Sequence, residues 1–467
     1  MIIGYAIPAV QKFQGAAYKS LYYQALEISK ADGATPDDNP CLIARGDELY
    51  RAGVGAVPSV LIVPQFVKPG AVYTQIPTPT LEGGDFDQFT VTRATTATRV
   101  NASGLIESVA SGVLRLDYPI TGGCPAALIE PSGTNLVLQS AFATGWSLGG
   151  GATVSANTSG TLSPENLNTA ARLNVVTTSF SSTFRTFTSV SGTVYTTSVF
   201  AKKDTKDWIY FVNLAGSAAR VWFNIASGTI GTVGAGISNV AIQNYGNGWY
   251  RCSWTETAGL TTSYFQVGAS DSDNTSLPTS SGSVYIWGAQ LETGAIPTSY
   301  IPTTTGQATR AADVCSVSGV SGYIGQTQGT IYVEAFIPKI SSIFVVGISN
   351  GLATSEAVYL QIQPNFSLEL LIRSGGSTVN INIAAANWTA GLNKVAFTYG
   401  SGSCSLVLNG GSPVTGTVTN VPTCNRITLG SRTDNLGTQS LTDRIRAAAI
   451  YTTRLSNDQL ASLTRLT

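Results

Sequence analysis

Aromatic side chains set among polar ones are the residues of this sequence best suited to chemistry. Trp208, Tyr210, Trp222, Trp249, Tyr250, Trp254 and Trp287 fall in one stretch of the chain. An exposed aromatic face can stack on a sugar ring while amides and carboxylates bind its hydroxyls. In Trp208-Ile209-Tyr210-Phe211 the side chains alternate, so Trp208 and Tyr210 share one strand face and Ile209 and Phe211 the other. Ile209 and Phe211 are expected in the core. Trp208 and Tyr210, together with Trp222, are taken as the carbohydrate-binding candidates, against the commoner fate of any strand aromatic, which is core packing.

A second group carries oxygen. Asp271-Ser272-Asp273-Asn274 places carboxylates and an amide at alternating positions, and calcium takes six to eight such oxygens. Asp271, Asp273 and Asn274 are therefore the metal candidates, with a structural calcium the one cofactor to look for. The rest of an EF-hand is missing, so the plainer reading is a solvated turn. The densest charge run, Lys202-Lys203-Asp204-Thr205-Lys206-Asp207, is expected to form an exposed hairpin.

Composition removes much else. The chain has 467 residues, a prior of about three domains at roughly 150 residues each. It contains no histidine, which excludes Ser-His-Asp and Cys-His machinery and imidazole metal sites. Lys+Arg 26 balance Asp+Glu 26, so the basic excess that nucleic-acid binding requires is absent. None of Cys41, Cys124, Cys252, Cys315, Cys404 and Cys424 forms a C-x-x-C pair. They are expected as free, mostly buried thiols, with Cys404 and Cys424 the pair to check. The N-terminus lacks the basic and apolar regions of a signal peptide. The longest apolar stretch, 59–67, is broken by Pro64 and far short of the roughly 20 residues that span a bilayer. A soluble protein made in a cytoplasm is expected, with no membrane partner.

The elements that must position these residues are strands. Residues 1–78 differ from the rest: apolar spacing predicts an amphipathic helix over 11–30, a helical turn over 47–51 and an apolar strand over 57–63. After a Pro-rich linker, short β-branched strands recur between Gly, Asn and Ser turns. One continuous strand is expected over 89–100. Further strands are expected in two series, one running from 194 to 291 and one from 330 to 451. A closing helix over 456–464 takes Ser456 as N-cap, with Leu460 and Leu463 inward. The fold class is mainly β: two tandem antiparallel β-sandwiches of jelly-roll type after a small mixed α/β N-terminal anchoring segment.

Several runs have a recognisable form. FTVTRATTATRVNASGLIESV, CPAALIEPSGTNLVLQS with Trp146, GNGWYRCSWT and WGAQLETGAIPTSYIPTTTGQATRAADV together resemble a module of bacteriophage virion proteins, especially fibre proteins. The ending RIRAAAIYTTRLSNDQLASLTR resembles a concanavalin A-like (laminin G-like) sandwich. The resemblance covers roughly 67–314 and the C-terminal part; with the change of texture after residue 78 and the strand spacing, four parts are expected: an N-terminal virion-attachment segment (1–78), a β connector (79–133), a carbohydrate-binding-like jelly roll (134–302) and a concanavalin A-like sandwich (303–467). It makes Trp249 and Tyr250 architectural, since they lie inside the recurring motif. It implies a head fibre or tail fibre on the particle exterior, a homotrimer, capsid or tail partners reached through residues 1–78, and host or mucus glycans as ligands.

Concanavalin A-like folds also include glycosidases, which need two carboxylates roughly 5–9.5 Å apart. Here Glu334, Glu356 and Glu369 stand singly in apolar strands, so no catalytic residue is assigned and a non-enzyme is expected. The alternative is a tailspike-type glycan depolymerase. A secreted lectin is disfavoured by the missing signal peptide.

Overall fold

A computed structural model describes residues 59–62, 75–76, 89–177, 180–214, 219–338, 342–351, 355–432 and 440–466. The helix expected over 11–30 and the turn over 47–51 lie outside them. The chain is mainly β, and its strand pairs are antiparallel. No helix among the described residues is long and apolar enough to cross a membrane.

The first sandwich stacks two six-stranded sheets. One runs Thr153–Ser155, Ala171–Val175, Gly282–Thr293, Val194–Lys203, Trp249–Thr257, Ile237–Asn244; the other Thr229–Val233, Arg220–Asn224, Trp208–Val212, Thr262–Ser270, Ser182–Thr188, Ser147–Gly149. Between them lie Val199, Ile209, Phe211, Phe223, Trp254, Phe265 and Val267, all sealed from water. Phe211 meets Phe223 and Phe265 edge-on at 5.9 and 6.1 Å, the ring geometry that aromatic quadrupoles favour. Ile209 and Phe211 are core, as their alternation predicts.

The second sandwich has two eight-stranded sheets. Gln328–Ile337 sits in one between Gly391–Gly400 and Asp443–Tyr451. In the other, Arg426–Leu429 sits between Val314–Ser318 and Ile343–Ser349. The stretch expected as a separate connector belongs here. Ala126–Ile129 and Leu116–Asp117 extend the first sheet beyond Asp443–Tyr451, and Phe89–Thr92 pairs with Val314–Ser318 in the second. Val60–Ile62, in the apolar stretch read as a strand, also pairs with Asp443–Tyr451. The two sandwiches are therefore nested rather than strictly successive. Gly133–Asn135 leaves the C-terminal sandwich, Ala308–Arg310 returns to it, and the two pair with each other.

Three local differences have simple causes. The strand expected over 89–100 is broken into Phe89–Thr92 and Ala97–Val100, because Arg93 turns inward to a buried carboxylate. The charge run does not form a hairpin. Val194–Lys203 and Trp208–Val212 lie in opposite sheets, and the run is the corner between them. Its Lys206 is buried against Asp271, while Arg172 holds Asp204 at 2.6 Å. Cys252, Cys315, Cys404 and Cys424 are free and buried, so Cys404 and Cys424 do not pair, whereas Cys124 is disulfide-bonded rather than free. Helix Asn457–Thr464 starts at a capping box of Ser456 and Gln459 and buries Leu460 and Leu463.

Candidate functional site

Where the chain passes between sandwiches, five charged side chains are buried together. Asp313 accepts from Arg93 Nη1 at 2.9 Å and from Arg115, while Glu130 accepts from Arg115 Nη1 at 2.8 Å and faces Arg310 at 3.5 Å. Ser299 adds its backbone N–H and its hydroxyl to Glu130, each at 2.7 Å. Burial alone would raise the Glu130 carboxyl, but Arg310 and Arg115 override it and hold it below the usual range. All but Arg115 belong to the TR, LIEP, SYIPT and TRAAD runs. Their place in the structure is a lock between segments distant in sequence.

Beside this lock opens a cleft of about 790 Å³. One wall is the outer face of a sheet of the first sandwich, with Phe200, Gln243, Tyr245, Arg251 and Ser253. The other comes from Phe336 and the 442–446 segment of the C-terminal sandwich, and its floor from residues around Val100, Asp117 and Tyr300. Tyr245 stands edge-on to Phe200 at 4.8 Å and 87°. Gln243 and Asn244 are exposed and Tyr245 half-buried, so amides and an aromatic edge face the opening.

The far wall is ionic. Arg444 lies over the Phe336 ring at 4.6 Å and reaches Asp443 Oδ1 at 3.0 Å and Asp117 Oδ2 at 3.3 Å. Burial would lower the Arg444 pKa, but the two carboxylates more than offset it. Burial also lifts both acids, Asp443 to about 6. A cleft of hydroxyls, amides, guanidinia and aromatic edges can hydrogen-bond a polar ligand from several sides.

The aromatics picked from sequence lie outside this cleft, and two of the three are buried. Tyr210 is fully buried: its ring lies over Gly268, where an added Cβ would sit 2.2 Å from Cζ, and its hydroxyl donates to Ser181 O at 3.1 Å. Trp222 is 5% exposed and donates Nε1–H to Thr275 O at 2.8 Å. Trp208 is half-buried under the neighbouring edge strand, where a Cβ on Gly231 would meet its Cζ3 at 2.6 Å. The outer face of that sheet has its own cover of Phe180 and loop residues. Trp249, inside the recurring motif, is buried and donates to Leu162 O at 3.0 Å.

The calcium candidates form a turn held by the protein itself. Asp271 accepts from Lys206 Nζ, from Thr279 N and Oγ1 and from Ser280 Oγ. Asp273 accepts from Thr232 N at 2.8 Å and Oγ1 at 2.9 Å, and Asn274 sits at the turn with φ 55. Protein donors thus engage the carboxylates of both Asp271 and Asp273. No group of three or more Cys, Asp or Glu fit to hold a metal occurs among the described residues. The cleft residues escaped sequence reasoning because Asp117, Gln243, Arg251 and Arg444 each sit in or beside an ordinary strand. Arg251 falls in the GWYR run and Arg444 opens the RIRAAAIY run, and both runs speak to the fold and not to a cleft.

No family model matches the chain, and no curated protein matches it. Among solved structures it is similar to the CBM40 domain of the Ruminococcus gnavus IT-sialidase, at 19% identity and TM-score 0.27, over 30% of this chain and 85% of that one. Domain 4 of AbnA, a GH43 extracellular arabinanase from Geobacillus stearothermophilus, matches at 15% identity and TM-score 0.28, over 37% and 82%. Mouse laminin α1 domains LG4-5 match at 11% and TM-score 0.24, over 61% and 91%. At such scores the site has to be interpreted from its own residues.

Proposed function

We propose that the chain is a non-catalytic glycan-binding protein displayed on the exterior of a bacteriophage particle, and that the cleft between its sandwiches is the binding surface. The observation that carries the binding reading is the convergence of Tyr245, Gln243, Asn244, Arg251 and Ser253 on one open polar cleft. Such a cleft buries little of a ligand, so single-site affinity is expected near millimolar, roughly −4 kcal/mol. Several copies on one fibre would raise it by effective concentration. The virion part rests on the resemblance of the TR, LIEP, GWYR and TRAAD runs to fibre modules. With it go attachment through residues 1–78 and assembly as a homotrimer.

A glycan array probed with the multimerised protein tests the binding reading. Signal is expected for the wild type and its loss for Tyr245→Ala with the fold intact, while a blank array removes the reading. Antibody labelling of intact virions tests placement and separates head from tail. The depolymerase alternative would draw on Asp117 of the floor and Asp443 of the far wall. Arg444 engages both, which suits a fixed ionic wall better than a free acid and base. Release of oligosaccharides from host polysaccharide would decide for the enzyme.

A further inference from the structure

Four guanidinia line the cleft, and three of them have carboxylate partners. Arg99 holds Glu107 at 2.7 Å, Arg446 holds Glu334 at 3.0 Å, and Arg444 holds Asp443 and Asp117. Arg251 has no carboxylate within 4 Å among the described residues. Its Nη2 donates to Ser198 Oγ at 3.0 Å, and its guanidinium lies 5.4 Å from the centre of the Phe200 ring. Its Nε is sealed from water without an acceptor. Glu292 acts on it electrostatically without an ion-pair contact, its oxygens taken by Thr298 and Gln290. Arg251 is only 4% exposed, yet it lines the cleft.

We infer that the ligand of this cleft is an acidic glycan whose sugar carboxylate docks on Arg251; the inference rests on the glycan-binding reading above. A buried guanidinium with no carboxylate in contact keeps its fork unmatched, and a ligand carboxylate fits it in the planar geometry that fork favours. The Phe200 face holds that fork in place. Strand register puts Gln243 directly opposite Arg251 on the same sheet face, with Ser253 opposite Ala241 two residues along. Gln243 is exposed, so its amide stands ready for ring hydroxyls beside the carboxylate. The shared chemistry is a carboxylate on a pyranose, whether in a uronate chain or on a terminal sialic-type sugar.

Titration of the full-length chain with two matched pairs tests this. One pair is tetragalacturonate and its fully methyl-esterified form; the other is a sialylated trisaccharide and lactose. The acidic member of at least one pair should bind about tenfold or more tightly than its neutral twin, as a charge-assisted hydrogen bond requires. Which pair responds identifies the source of the carboxylate. Arg251→Gln should abolish that preference, bringing the acidic member down to the level of its neutral twin. Should Arg251→Gln not fold, Gln243→Glu serves: it sets a carboxylate opposite Arg251 and should also erase the preference. Equal binding of acidic and neutral twins by the wild type overturns the inference and leaves the glycan reading standing. An acid preference that survives both substitutions also overturns it. Binding of no sugar at all overturns both.

Discussion

Arg93 Nη1 lies 2.9 Å from Asp313 Oδ1 across 220 residues of sequence, with both side chains shut off from water. The contact ties a strand end near the start of the described chain to the segment that re-enters the C-terminal sandwich. With Arg115, Glu130 and Arg310 it forms one unit in which every charge depends on the others. Replacing such a unit wholesale by apolar groups can be neutral, but removing one member strands a buried charge.

Asp313→Asn should therefore cost roughly 3–5 kcal/mol. Six of the seven tryptophans, all but Trp388, lie in the inserted sandwich. Urea unfolding followed by tryptophan fluorescence and by far-UV circular dichroism should separate in the variant, with the dichroism lost first. Coincident, unshifted curves would show that the network carries no such load.

Asp443 and Asp271 should give opposite pH dependences. Burial lifts Asp443 to about 6 from 3.8, so the folded state binds its proton more tightly than the unfolded chain. Its stabilising contribution is complete below about pH 4 and lost as pH rises through 6. Asp271 is held to about 2: burial opposes this, but Lys206 and Thr279 outweigh it. Its contribution is present above about pH 4 and lost as pH falls toward 2. Carboxyl carbon NMR should find the two midpoints on either side of the ordinary aspartate value, and Asp443→Asn should remove the stability slope between pH 4 and 6.

Gly268→Ala should destabilise the inserted sandwich by about 1–3 kcal/mol, because the new methyl would overlap the Tyr210 ring. Pairing it with Tyr210→Leu should recover part of the loss, read as a coupling energy in a double-mutant cycle. Additive effects would mean that the ring does not lie on Gly268.

Residues 133–310 produced alone should fold. Their ends are already paired as Gly133–Asn135 with Ala308–Arg310, and Thr134 and Thr309 hydroxyls meet at 2.8 Å. A cooperative melt with shielded tryptophan emission is the expected outcome; an uncooperative one would mean that the insert needs the C-terminal sandwich to hold its shape.

Strand identity was legible because alternation and turn residues are local. Ala357–Ile362 and Cys404–Leu408 fall where their apolar runs place them, and the Ser456 cap marks the helix start. Alternation also put Ile209 and Phe211 inside. It could not say what covers the opposite face, since Phe180 and Gly231 reach Tyr210 and Trp208 from other strands and loops. The cleft was illegible for the same reason. Arg251 and Arg444 acquire meaning only when two sheets distant in sequence face each other. The recurring runs signalled importance without its kind: Glu130 and Asp313 look like surface acids until their arginines are seen.

The nesting of one sandwich inside the other sets an order of events at the ribosome. Glu130 emerges 183 residues ahead of Asp313, a wait of about 10–40 s at translation rates of roughly 5–20 residues per second. During that interval Phe89–Thr92 and Ala126–Ile129 have no partners from the later strands, and unpaired strand edges invite wrong pairing. The inserted sandwich, by contrast, is complete as soon as its return strand appears. It is thus the first body able to form, and by bringing its two ends together it delivers the early strands to the place where the last ones will arrive.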